Sequence, residues 1–196
     1  MLVPDAPIHP NNPMLGILKT VMPGVDKVVE MGIADPGRLG VMGHSFGGYS
    51  VLSLLVQTAK FKAAVVSAGY ADRMMTYGAM GPDGTAYGVS VEENTARAGV
   101  GGTPWELRNR YIENSPVYYL DRVESPVLLL HGAEDQTVQS PAADQVFVCL
   151  RRLGKTVEYA KYEGEDHTPL AWSHEHQLDY VNRILGWFAK YLGSEN

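Results

Sequence analysis

The chain holds a single cysteine, Cys149. No intrachain disulfide can form, and this suits a reducing cytoplasm. Cys149 falls at helical spacing with Val146 and Leu150, so a buried structural thiol is expected rather than a nucleophile. Basic residues are too few and too scattered for an electrostatic footprint. Sixteen Lys and Arg stand against 22 Asp and Glu, for a net charge of −6, and no basic cluster exists. No nucleic acid partner is therefore expected. No apolar run is long enough to span a bilayer, and Met1-Leu-Val-Pro-Asp5 lacks the basic head and apolar core of a signal peptide. No membrane partner is expected either. His174 and His176 are two residues apart and cannot share a helical face, so a metal pair is not expected there and a solvated helix start is the reading. A dinucleotide fingerprint is also missing, since Gly43-x-Ser-x-Gly-Gly48 lacks both the G-x-G-x-x-G pattern and its ribose-binding acid. Neither a metal nor a cofactor is expected.

What the chain does have is a 45% hydrophobic content over 196 residues with no repeat, linker or low-complexity stretch. That amounts to one domain, residues 1–196, with a sizeable core. Apolar residues from Leu15 to Val29 recur at helical spacing, interrupted by Pro23-Gly24, so a kinked helix or two short ones are expected over 14–31. An apolar run, Leu39 to Met42, precedes an amphipathic run that reaches Thr58, and a second strand follows at Ala63–Ser67. Strand, helix, strand in this order is a parallel βαβ unit. The stretch from Gly69 to Gly102 is irregular. Thr103-Pro-Trp-Glu106 is a capping box that predicts a helix from there to about Glu113. Val127–Leu130 reads as a buried parallel strand, Ser140 as the cap of a helix to Leu153, Thr156–Tyr162 as the last strand and Ser173–Leu192 as a terminal amphipathic helix. The fold class is α/β.

The chain is organised around Gly43-His-Ser45-Phe-Gly47, a G-x-S-x-G set between a strand and a helix. In a nucleophile elbow a serine occupies a strained turn, and small residues two places either side let strand and helix approach closely. A serine nucleophile needs a base to take its proton and an acid to orient that base. Elbow hydrolases carry them in the chain order nucleophile, acid, histidine. Asp135 follows the strand Val127–Leu130, and His167 follows the last strand. Loops at the carboxyl ends of parallel strands converge on one sheet edge, so Ser45, Asp135 and His167 can meet. Glu134 and Asp166 are alternative acids, with position favouring Asp135. His44, adjacent to the nucleophile in a tight turn, is expected to point away and serve structure. His131, at a strand end, is expected to support the acid's loop.

Taken as a set, Gly43-His-Ser-Phe-Gly-Gly-Tyr49, Ser115-Pro-Val-Tyr-Tyr119, Pro126-Val-Leu-Leu-Leu-His-Gly-Ala-Glu-Asp135 and Gly164-Glu-Asp-His167 resemble the catalytic domain of the prolyl oligopeptidase family. The lead-in Gly32-Ile-Ala-Asp-Pro-Gly-Arg-Leu39 looks like the family's as well. The resemblance implies an α/β-hydrolase fold, a mostly parallel sheet with helices on both faces, and a triad of Ser45, Asp135 and His167. It also implies cleavage of peptide or ester bonds, with a small ester or short peptide as substrate and no cofactor. The backbone N–H of Phe46 would hold the oxyanion, and by position Tyr70, Met74 and Tyr77 would line the substrate pocket. Set against the family, this chain is expected to lack the first strands of the sheet, any β-propeller, and the upstream loop that gives the second oxyanion donor. Residues 4–13 or a partner subunit would have to supply that donor. An open sheet edge is an association hazard, so a homo-oligomer covering the truncated edge is expected. The alternative to an enzyme is a weakly active or inactive domain that serves as an oligomer-forming or binding module.

Overall fold

The structure is a computed structural model that describes residues 1–4, 11–93 and 99–193. Four strands make one sheet: β1 (Gly40–His44), β2 (Ala63–Ser67), β3 (Val127–Gly132) and β4 (Val157–Tyr162). They lie in that order and every neighbouring pair is parallel. Parallel neighbours require crossovers. Helix α2 (Phe46–Leu55) makes the first and α6 (Pro141–Arg152) the last. Crossovers of one hand between strands taken in sequence put both helices on the same face.

The two faces follow from the period of two along a strand. Ala64, Val66, Val127 and Leu129 point to the core shared with α2, α6 and the long helix α1 (Pro13–Glu30). Ala63, Val65, Leu128 and Leu130 point to the other face, where α7 (His174–Leu192) brings Trp187, Ile184 and Phe188. β2 and β3 are buried at every position, which is why they read as unbroken apolar runs. β1 is an edge strand and is only partly buried, with Met42 half exposed.

Between β2 and β3 the chain forms α3 (Arg73–Tyr77), α4 (Gly88–Glu93), α5 (Arg108–Glu113) and a 3-10 segment, Pro116–Arg122. Asn114 stitches this region to the core. It is fully buried, its side chain accepts from the N–H of Met14 (3.0 Å), and its carbonyl accepts from the hydroxyl of Tyr49 (2.8 Å).

One local expectation is narrowed and two are corrected. First, of the two forms expected over 14–31 the single helix is the one present, and α1 runs through Pro23. The proline forfeits one helical hydrogen bond, a cost of about 3 kcal/mol in an isolated helix. Here Met14, Ile17 and Val25 of the same helix are buried in the core, and tertiary packing outweighs the local penalty. Second, the capping box forms without its helix. Glu106 accepts from the N–H and hydroxyl of Thr103 at 3.1 and 2.8 Å, yet α5 begins only at Arg108. The box closes a single turn whose Trp105 is 71% exposed, so no apolar face holds further turns in place. Third, Cys149 is partly exposed at the margin of the core rather than buried in it.

Candidate active site

Ser45 sits between β1 and α2 with φ 58° and ψ −121°. A non-glycine residue in that region costs about 1–3 kcal/mol and persists only where its surroundings dictate it. Two close approaches dictate it here. A Cβ on Gly43 would lie 2.2 Å from the carbonyl oxygen of Gly47, and one on Gly48 would lie 2.7 Å from the Cα of Gly69. The motif's second glycine has a different reason. A Cβ on Gly47 would meet nothing within 4 Å, so Gly48, not Gly47, is what lets the helix close on the sheet. The backbone N–H of Ser45 donates to the carbonyl of Ser67 (2.9 Å), fixing the turn to β2.

A serine at a helix N-cap normally accepts from the helix's first N–H groups. Ser45 makes no such bond. Its Oγ lies 2.9 Å from Nε2 of His167 instead. Nδ1 of His167 lies 2.8 Å from Oδ2 of Asp135. The N–H of Phe46, at the first position of α2, is thus left uncapped by the Ser45 side chain, in the positive field of the helix N-terminus.

The acid and histidine loops are fastened to each other. Ala133 N–H donates to the Tyr162 carbonyl (2.8 Å) and Glu134 N–H to the Glu165 carbonyl (2.9 Å). Gln136 N–H donates to Oδ1 of Asp166 (2.9 Å). The loops come so close that a Cβ on Gly132 would lie 2.3 Å from the carbonyl oxygen of Glu165. Asp166, an alternative acid by sequence, therefore serves as a brace: the same Oδ1 also accepts from the N–H of His167 (2.7 Å). Glu134, the other alternative, is exposed.

Asp135 is buried, with its side chain wholly out of solvent. Its Oδ1 accepts from the N–H groups of Thr137 and Val138 at 2.9 and 2.8 Å. Oδ2 faces Nδ1 of His167 and Nε2 of His131, the latter at 3.1 Å. Burial pushes its carboxyl up, but hydrogen bonds from His131, His167 and the backbone of Val138 prevail and hold it well below the usual carboxylate range. His131 itself is buried. Its Nε2 also points at the Val138 carbonyl (2.7 Å), so with two acceptors before it this nitrogen carries the proton. It supports the acid's loop.

An ionised Asp135 fixes the proton of His167 on Nδ1 and leaves Nε2 as an acceptor aimed at the Ser45 hydroxyl. The arrangement can draw a proton from Oγ as it attacks a carbonyl, and can stabilise the imidazolium that results.

Four other side chains differ from, or add to, the sequence reading. His44 does not point away: its ring lies 4.8 Å from that of His167, tilted by 48°, and its Nδ1 is 3.1 Å from Oγ of Ser67. His176 is not simply solvated, because its Nδ1 pairs with Oε1 of the buried Glu165 at 2.6 Å. Asp166 and Arg73 were missed as structural anchors. Arg73 is buried with its guanidinium 4.4 Å above the Tyr49 ring, and no local pattern marks a cation at that position. Of the residues offered as pocket lining, Tyr70 is buried and stacks on Tyr49 at 5.1 Å. Tyr77 donates its hydroxyl to Glu92 (2.7 Å) and packs edge-on against Trp105 and Tyr111. Met74 is exposed on α3. Residues 5–10, most of the segment expected to give a second oxyanion donor, lie outside the described residues.

A groove of about 870 Å³ follows the open edge of β1, lined by Ile17 and Val21 of α1, by Met42, by Phe46 and Gly47 of the elbow, and by Phe188 of α7. Among the described residues no group of three His, Cys, Asp or Glu could hold a metal ion, and no helix is long and apolar enough to cross a membrane.

The model of the prolyl oligopeptidase family matches residues 17–195. An uncharacterized peptidase, YuxL, of Bacillus subtilis is 29% identical over 181 residues, which cover 88% of this chain and 25% of that protein. The acylamino-acid-releasing enzyme of Arabidopsis thaliana is 30% identical over 179 residues, covering 89% of this chain and 22% of that protein. The chain thus spans about a quarter of the length of these curated relatives. A puromycin-hydrolyzing peptidase of Mycobacterium tuberculosis superposes with a TM-score of 0.82 at 27% identity, over 94% of this chain and 26% of that one. An acylaminoacyl peptidase of Pyrococcus horikoshii, at 23% identity and a TM-score of 0.83, over 95% of this chain and 29% of that one, shares the fold.

Proposed function

This chain belongs to the prolyl oligopeptidase family and has the α/β-hydrolase fold, and from that premise we propose that it is a serine hydrolase acting on peptide or carboxylic ester bonds. Ser45 attacks the carbonyl and forms an acyl-enzyme. His167 takes the Oγ proton and returns it to the leaving group. Asp135 holds the His167 tautomer and offsets its positive charge. The N–H of Phe46 donates to the oxyanion. No cofactor takes part. Met74, exposed on α3, is the contact we assign to the substrate. The relatives' printed names, peptidases and an acylamino-acid-releasing enzyme, support a peptide or acyl-peptide substrate.

One observation carries the reading: the continuous hydrogen-bonded line from Ser45 Oγ through both nitrogens of His167 to Asp135, with steps of 2.9 and 2.8 Å. A fluorophosphonate probe reacts only with an activated serine. Mass spectrometry after labelling should find the phosphonyl group on Ser45 and on none of the other serines. A chain left unlabelled at neutral pH would refute the assignment.

The groove beside β1 favours a second property. An unpaired edge strand flanked by apolar surface is a template for association, and Met42 on that edge is half exposed. We propose that a second copy of this chain covers it. Two copies of the same edge can join across a twofold axis and close the assembly. Light scattering at micromolar concentration should give twice the 21.4 kDa chain mass, and Met42→Glu should lower it to one. A stable monomer in the parent chain would overturn the proposal.

A further inference from the structure

We propose that His44 is a positioning residue, whose ring braces the His167 imidazole so that Nε2 stays in line with the Ser45 hydroxyl. The inference rests on the serine-hydrolase reading above and adds to it a residue that the three-member relay does not include. Its starting point is mechanical. His167 is held at Nδ1 by Asp135 and faces Ser45 at Nε2. The ring is also tethered through its Cβ–Cγ bond, so the motion left to it is a small libration out of its plane. A neighbouring ring limits that libration, and His44 supplies one at a centroid distance of 4.8 Å, tilted by 48°.

The brace is itself anchored. Nδ1 of His44 meets Oγ of Ser67 at 3.1 Å. Ser67 is 2% exposed, its hydroxyl also meets the partly buried Tyr180, and its backbone carbonyl accepts from the N–H of Ser45. One residue of β2 therefore fixes both the backbone of the nucleophile and the ring that steadies the base.

The charges around His44 are consistent with this role. Burial, and after it the neighbouring His167, pull its pKa below the ordinary histidine value; the Asp135 carboxylate pulls the other way, and His131 adds to the lowering. His44 is then uncharged while His167 carries the proton of the reaction, and does not oppose the cation. A fixed positive charge at position 44 would.

Steady-state turnover of a p-nitrophenyl ester tests this with His44→Phe, His44→Ala and His44→Lys, each checked for folding by thermal melting. Small misplacements of a catalytic group cost rate steeply. Phenylalanine keeps a ring but forfeits the anchor at Ser67, and should lose less in kcat than alanine; alanine should lose about tenfold in kcat with KM nearly unchanged, and lysine more. If the alanine chain does not fold, His44→Leu, which fills the space without a flat face, takes its place. Proton NMR gives a readout that needs no turnover. The proton shared by His167 and Asp135 should appear at low field in the parent and in His44→Phe, and broaden in His44→Ala. Equal kcat and an equal low-field signal in the parent and alanine chains would overturn the brace and leave the hydrolase reading standing. Failure of Ser45 to label in the parent would overturn the hydrolase reading, and the NMR comparison would then decide the brace by itself.

Discussion

Ser45→Ala should lower kcat for a p-nitrophenyl ester by at least about 10⁴-fold while leaving the melting temperature within a few degrees, because the variant removes the proposed nucleophile and little of the fold. Oγ caps no helix; its partner is Nε2 of His167. The strained backbone at φ 58° is retained, since its causes are the contacts at Gly43 and Gly48 and the hydrogen bond to Ser67. What remains after the substitution is the N–H of Phe46 and whatever binding the surface provides. Residual turnover near the parent level, measured on protein purified free of other esterases, would remove Ser45 from the reaction.

Asp135→Asn should be nearly as damaging, with a loss of about 10⁴-fold in kcat. The substitution is nearly isosteric, so the reason is electronic. Asparagine can still offer its oxygen to the N–H groups of Thr137 and Val138, which Oδ1 now accepts at 2.9 and 2.8 Å. Its amide NH₂ then occupies the place of Oδ2, facing the donors of His167 and His131. Donor meets donor. The His167 ring resolves the conflict by moving its proton to Nε2, the wrong nitrogen for accepting from Ser45. Stability should change too, and with a definite sign. In the folded state the carboxyl is held well below its ordinary range. Its contribution is present in full above that range and is lost as pH falls through it and below. Melting curves of the parent should therefore fall toward the asparagine variant's as pH drops below about 4. A constant gap between the two at all pH values, or an unimpaired kcat, would refute the assigned role.

Much of this was legible from residues alone, for identifiable reasons. β2 and β3 are buried on both faces, so Ala63–Ser67 and Val127–Leu130 could only be apolar runs. Helix α7 declares itself because a single stripe of Ile184, Trp187 and Phe188 covers one face of the sheet. The order serine, aspartate, histidine, with each residue just past a strand, anticipates loops that meet at one edge. What sequence could not tell lies in contacts between distant residues. Pro23 left open one helix or two short ones, and packing against the core selects the single helix. Thr103 and Glu106 mark a helix start that lacks an apolar face to extend it. Adjacency to Ser45 in a tight turn predicts that His44 points away, whereas its neighbour in space is His167, 123 positions away by residue number. The pairing of His176 with Glu165 and the burial of Arg73 over Tyr49 carry no local signature at all.

The unobstructed space at Gly47 has a practical meaning. Apart from the adjoining backbone of its own helix, no atom lies within 4 Å of where its first side-chain carbon would stand, and the residue lines the groove beside β1. Side chains introduced at this one codon would extend into that groove and change the surface offered to whatever covers the edge strand.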